Sequence, residues 1–68
     1  MIDSKDYIKR VQHGCVDAGM KETRLCEQAG VSYSTWASMK DRVNKGGEIT
    51  LTVINPLIAR LSELGVWK

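Results

Sequence analysis

Apolar residues recur along most of this chain at spacings of three and four, the signature of amphipathic helices. Tyr7, Ile8, Val11, Cys15 and Ala18 form the first stripe. It predicts a helix beginning at Asp3, whose carboxylate can cap free backbone N–H groups, with Asp6 adding negative charge near the positive end of the helix dipole. Ile2 and Tyr7 stand at hydrophobic-staple positions around that cap. Gly14 weakens this helix by roughly 1 kcal/mol relative to alanine, and such a glycine marks close helix packing; Gly19 ends the element. Leu25, Cys26 and Ala29 predict a second, short helix over about Lys21 to Gln28. Trp36, Met39 and Val43 predict a third over about Tyr33 to Val43. Between the two, Gly30 can take the left-handed conformation that reverses the chain, Ser32 can cap the next helix, and Val31 with Trp36 can close as a staple. Asn44-Lys45-Gly46-Gly47 then breaks the pattern.

The last third supports two patterns. Glu48 to Val53 alternates polar and apolar residues with many β-branched side chains, which is a strand signature, with Asn55-Pro56 then opening a helix that runs to Leu64. Leu51, Ile54, Ile58 and Leu61 fit a helical stripe equally well, and a helix starting near Thr50 or Thr52 would hold Pro56 near its first turn. The longer helix is favoured because a lone strand has no partner in this chain; a strand from a second chain would reverse that preference. The expected fold is therefore all-α, four to five helices in one domain over residues 1–68, with α+β and a strand at 48–54 as the alternative.

Composition narrows the class. At 68 residues and 7.6 kDa the chain has room for one small domain, and a chain this short buries only about 60% of its unfolded surface. Cys15 and Cys26 lack the paired spacing of a zinc site and lie on apolar stripes, so buried free thiols of a cytoplasmic protein are expected rather than a bridge or a metal centre. Charges interrupt every segment, so neither a leader peptide nor a membrane span is expected. Oligomerisation remains as the expected aid to stability. The net charge is only +2, but its distribution is informative: Lys40, Arg42 and Lys45 cluster around the end of the third helix, and Lys21 and Arg24 open the second. One histidine, His13, and a serine-rich segment place no acid–base pair and no metal or phosphate-loop motif, which argues against an enzyme and against any cofactor or small-molecule ligand.

Two short helices joined around a glycine form the layout of a helix-turn-helix, whose second helix enters the DNA major groove. The run L-C-x-x-A-G-V-S-x-S-T-W over Leu25–Trp36 resembles the Cro/repressor-like (lambda repressor-like) helix-turn-helix regulators of bacteriophages and bacteria, and is closest to their small phage-type members. In that resemblance Gly30 matches the turn glycine, Cys26 replaces a small residue where the helices meet, Val31 matches the apolar residue after the glycine, and Trp36 and Met39 fill the apolar positions of the recognition helix. The resemblance implies a homodimer on a pseudo-palindromic double-stranded DNA operator, with transcription regulation in the bacterial cytoplasm. The chain departs from the family at Glu22, where many relatives place a phosphate-contacting glutamine, so that Lys21 or Thr23 would take over that contact. The final helix of some relatives is also missing, which leaves helix 4 and the Val66-Trp67 tail for a dimer interface.

Helical spacing puts Tyr33, Ser34, Ala37 and Ser38 opposite Trp36 and Met39, which makes them the expected base-contacting residues. Lys21, Thr23, Ser32, Lys40, Arg42 and Lys45 are the expected phosphate contacts, with Ser32 also serving as a cap. No arginine, asparagine or glutamine stands at the reading positions, so direct readout should be modest, about 1 kcal/mol per contact, and phosphate contacts and DNA shape should carry more of the discrimination. Trp36 is expected in the core, and Trp67 either folds back on the domain or packs across a dimer. A protein-interaction module that keeps the fold without binding DNA, and an excisionase-like architectural factor, are the competing functions.

Overall fold

The computed structural model describes residues 3–67 and contains four α-helices: α1 (Ser4–Ala18), α2 (Glu22–Ala29), α3 (Tyr33–Asn44) and α4 (Leu51–Glu63). No strand occurs among the described residues, so the fold is all-α. The first helix is capped as its sequence predicts, the Asp3 carboxylate accepting from the Lys5 N–H at 3.3 Å. The staple proposed between Ile2 and Tyr7 involves Ile2, which lies outside the described residues. Between α2 and α3 only Gly30, Val31 and Ser32 intervene. Gly30 takes φ 75°, and the Val31 N–H donates back to the Cys26 carbonyl at 2.9 Å. That bond closes the end of α2 and turns the chain.

The segment 48–54 does not form a strand. Glu48–Thr50 is irregular, and the helix begins at Leu51. Burial explains the choice. Val53 and Ile54 are adjacent in sequence and both are buried, which the two-residue alternation of a strand forbids on a single core face. A helix places them beside Leu57 and Leu61 on one stripe, while Leu51 stays 63% exposed. Pro56 is the sixth residue of this helix and lies in its second turn, not its first. It removes the bond that residue 56 would donate to the Thr52 carbonyl. Thr52 is exposed, so water can satisfy the freed carbonyl.

All four helices contribute to one core: Ile8, Val11 and Cys15 from α1, Leu25 and Cys26 from α2, Trp36, Met39 and Val43 from α3, and Val53, Ile54, Leu57 and Leu61 from α4. Val31 packs against the same cluster from the turn. The tail folds back on its own domain. Trp67 stacks on Tyr7 with ring centroids 6.5 Å apart, and the Arg10 guanidinium lies 4.7 Å above the Trp67 ring. No helix among the described residues is long and apolar enough to cross a membrane.

Gly14 marks the closest approach of α1 and α4. A Cβ placed there would stand 3.0 Å from one methyl carbon of Leu61 and 3.1 Å from the other. Leu61 is fully buried and has little freedom to retreat. Gly14→Val should therefore lower stability by about 1–3 kcal/mol, measured by urea unfolding. The cost should shrink when the same change is made in a Leu61→Ala background, where the space is open.

Candidate nucleic-acid interface

Helix α3 presents four sides to its surroundings. Trp36, Met39 and Val43 face the core. Ser34, Ser38, Asp41 and Lys45 follow one another at spacings of four, three and four and are all exposed, which makes them the outward ridge. Tyr33, Lys40 and Asn44 lie along the flank towards α1 and the start of α2, and Thr35 and Arg42 along the flank towards the start of α4. Of the residues expected to contact bases, Ser34 and Ser38 are exposed, Tyr33 is 43% exposed and Ala37 is half-buried. All four lie outside the core.

The centre of the arrangement is Glu22, at the start of α2. One carboxylate oxygen, Oε1, accepts a hydrogen bond from the indole Nε1 of buried Trp36 at 2.8 Å and another from the Lys40 ammonium at 2.9 Å. Burial alone would raise the pKa of this carboxyl. The hydrogen bonds from Lys40 and Trp36, the Lys40 charge and a further hydrogen bond from Gln12 outweigh it and bring the pKa below the ordinary glutamate value. The lysine is in turn sandwiched, its Nζ lying 5.7 Å from the Tyr33 ring centroid and 5.4 Å from that of Trp36. The resemblance to Cro/repressor-like regulators made Glu22 a departure from an expected phosphate contact. In the fold it is the group that satisfies the one polar atom of the core tryptophan.

The residues expected to contact phosphates divide into two groups. Lys21 and Thr23 at the start of α2 are exposed. Lys40, Arg42 and Lys45 each have a partner within the chain: Lys40 has Glu22, Arg42 donates to the Thr50 hydroxyl, and Lys45 pairs with Asp41 at 3.0 Å. The Lys45–Asp41 pair is largely solvent-exposed on both sides, and such pairs are worth about 0.3–0.5 kcal/mol. Ser32 occupies the N-cap position of α3 with extended backbone, but its hydroxyl does not cap the helix; it hydrogen-bonds the Ser34 hydroxyl at 2.9 Å. The expectation of a side-chain cap is corrected on this point: the short link to another hydroxyl draws the oxygen away from the free N–H groups.

Two features escape the linear pattern. Asp41 places a carboxylate on the outward ridge of α3, visible in the sequence as the acid among the lysines and arginine but given a position only by the helix. A shallow depression of about 430 Å³ lies between α3 and the start of α4, with hydroxyls from Ser34, Thr35, Ser38, Thr50 and Thr52 around it and Arg42 at its edge. Thr35, Thr50 and Thr52 are not picked out by the sequence, because nothing local brings the start of α4 beside α3. The thiols of Cys15 and Cys26 are buried and free, and burial pushes Cys15 up to about 11 and raises Cys26 as well, so both stay protonated and unreactive at neutral pH.

Comparison of the chain with protein-family models, with curated proteins and with solved structures gives no match.

Because the Glu22 pKa is lowered in the folded state, its contribution to stability is present above the ordinary value of 4.5 and is lost as pH falls through the lower folded value. Glu22→Gln should flatten the acid limb of a stability-against-pH curve below about pH 4.5. Glu22→Ala should destabilise the fold at neutral pH by about 1–3 kcal/mol, since it leaves the indole N–H of Trp36 without its acceptor. Equal pH profiles for wild type and Glu22→Gln would refute this assignment.

Proposed function

We propose that this protein binds double-stranded DNA sequence-specifically through the outward face of α3, as a small phage-type transcriptional regulator of the repressor or Cro kind. The observation that carries the proposal is the α2–α3 unit. Three residues join the two helices, Gly30 holds the left-handed turn, and Trp36, Met39 and Val43 anchor α3 in the core, leaving Tyr33, Ser34 and Ser38 free to meet a groove. Fold by itself does not fix function; the placement of cations beside this face adds the support. Lys21 and Thr23 on one side and Arg42 on the other are positioned for backbone phosphates, and Lys45 can exchange its exposed carboxylate partner for a phosphate at small cost. The resemblance of Leu25–Trp36 to Cro/repressor-like regulators points the same way and extends the proposal to a homodimer on a pseudo-palindromic operator in the bacterial cytoplasm.

The reading side chains are hydroxyls, a phenol and a methyl, so each base contact contributes about 1 kcal/mol rather than the larger share of a bidentate pair. One observation favours a second reading. Asp41 stands on the outward ridge, where it would meet phosphate or base edges, and a face that carries an acid suits a protein partner.

Affinity for duplex DNA measured against salt separates the two. Binding through several phosphates gives a steep negative slope, whereas absence of duplex binding at low salt leaves the protein-partner reading. Ser34→Ala with Ser38→Ala should relax sequence preference by about 1 kcal/mol per contact while leaving the salt slope unchanged. Arg42→Gln should weaken binding to all duplexes alike and make the slope shallower by about 1. Sedimentation of the free protein and of the complex reads the dimer.

A further inference from the structure

A second basic site lies on the other side of α3 from the Arg42–Thr50 depression. Lys5, Lys9 and Gln12 of α1 and Lys40 and Asn44 of α3 line a cleft of about 180 Å³ with Ile8 at its base. Lys5, Lys9 and Gln12 are separated by four and three residues, so one side of α1 delivers all of them to the cleft. The lining holds three ammonium groups, two carboxamides and no carboxylate. Glu22 reaches Lys40 at 2.9 Å and so neutralises one of the three. Lys5 and Lys9 are exposed, and their ammonium groups make no hydrogen bond or ion pair among the described residues.

With Glu22 counted, the cleft brings three cations together with one anion, a local charge of +2. Lys5 and Lys9, the two lysines of the cleft that Glu22 does not reach, repel one another, and phosphate oxygens are the chemistry that relieves them, with the amides of Gln12 and Asn44 as additional donors.

We infer that this cleft is a phosphate site that seats a backbone phosphate of the DNA strand running along the α1 side of α3. The inference rests on the DNA-binding function proposed above. A helix lying in the major groove has a sugar-phosphate strand on each flank. Arg42, Thr50 and Thr52 lie on one flank of α3, and Lys5, Lys9 and Lys40 on the other. The two sets together hold α3 in the groove from both sides. This footprint adds α1 to the α2 and α3 contacts.

Three measurements on the intact protein test it. Lys5→Gln with Lys9→Gln changes two exposed side chains, so the fold should be retained by circular dichroism. The double variant should shorten the salt slope of duplex binding by about 1 to 2, and Lys5→Arg with Lys9→Arg should restore it. Duplex DNA should protect Lys5 and Lys9 from acylation in the wild type. Inorganic phosphate added to the DNA-free protein should shift the amide resonances of Lys5, Lys9, Lys40 and Asn44. Wild-type duplex binding with Lys5 and Lys9 unprotected, or with an unchanged slope in the double variant, overturns the strand contact while leaving the proposed function standing. If phosphate shifts those resonances but duplex does not protect the lysines, the cleft takes a free phosphate compound and the strand assignment is wrong. Loss of all duplex binding by the wild type overturns both.

Discussion

Trp36 is the largest side chain in the core and is fully buried, yet it carries an N–H that must find an acceptor. Glu22 supplies it at 2.8 Å, and the placement of Lys40 beside α3 follows from that bond. It fixes the start of α2 against the first turns of α3, in addition to the three-residue turn at their other junction. The acceptor is a carboxylate at the edge of the core, and Lys40 balances its charge at 2.9 Å. No buried polar side-chain atom is left without a partner among the described residues. A domain this small has little hydrophobic surplus with which to offset an orphaned group.

That constraint sorts the basic residues into two roles. Lys40 is largely committed to structure: it balances Glu22 and lies against the rings of Tyr33 and Trp36. Lys5, Lys9, Lys21 and Arg24 are exposed, and their side chains are the ones with charge to offer a partner. Arg42 and Lys45 are intermediate, each held by one partner, the Thr50 hydroxyl and the exposed Asp41 carboxylate. The basic cluster that looks uniform along the sequence is thus graded by what each side chain already touches.

The tail and the α1–α4 contact show the economy of a short chain. Trp67 covers Tyr7 and Arg10 rather than leaving an aromatic ring in water. Gly14 lets Leu61 approach α1 to within methyl contact. Val16, Tyr33, Leu51 and Leu64 are the large apolar side chains left exposed among the described residues once the core is closed. Scattered singly, they need no special account.

Local patterning along the chain is enough for the three helices of the first two-thirds, the glycine turn between α2 and α3, the cap at Asp3 and the inward direction of Trp36, Met39 and Val43. These are legible because helical periodicity, left-handed glycines and capping carboxylates act over three or four residues. It also gave Ser34 and Ser38 as exposed positions, since the opposite side of a buried stripe is fixed by the same geometry. It left the segment 48–54 open between strand and helix, and only burial of adjacent Val53 and Ile54 in the common core decided for the helix. It presented Glu22 as a misplaced charge and Ser32 as a cap; the tertiary structure made the first a core partner and turned the second to Ser34. Lys5 and Lys9 stand thirty residues or more before Lys40, and Thr50 fifteen after Thr35. No local rule joins residues so far apart, because their proximity is created only when four apolar faces close on one core.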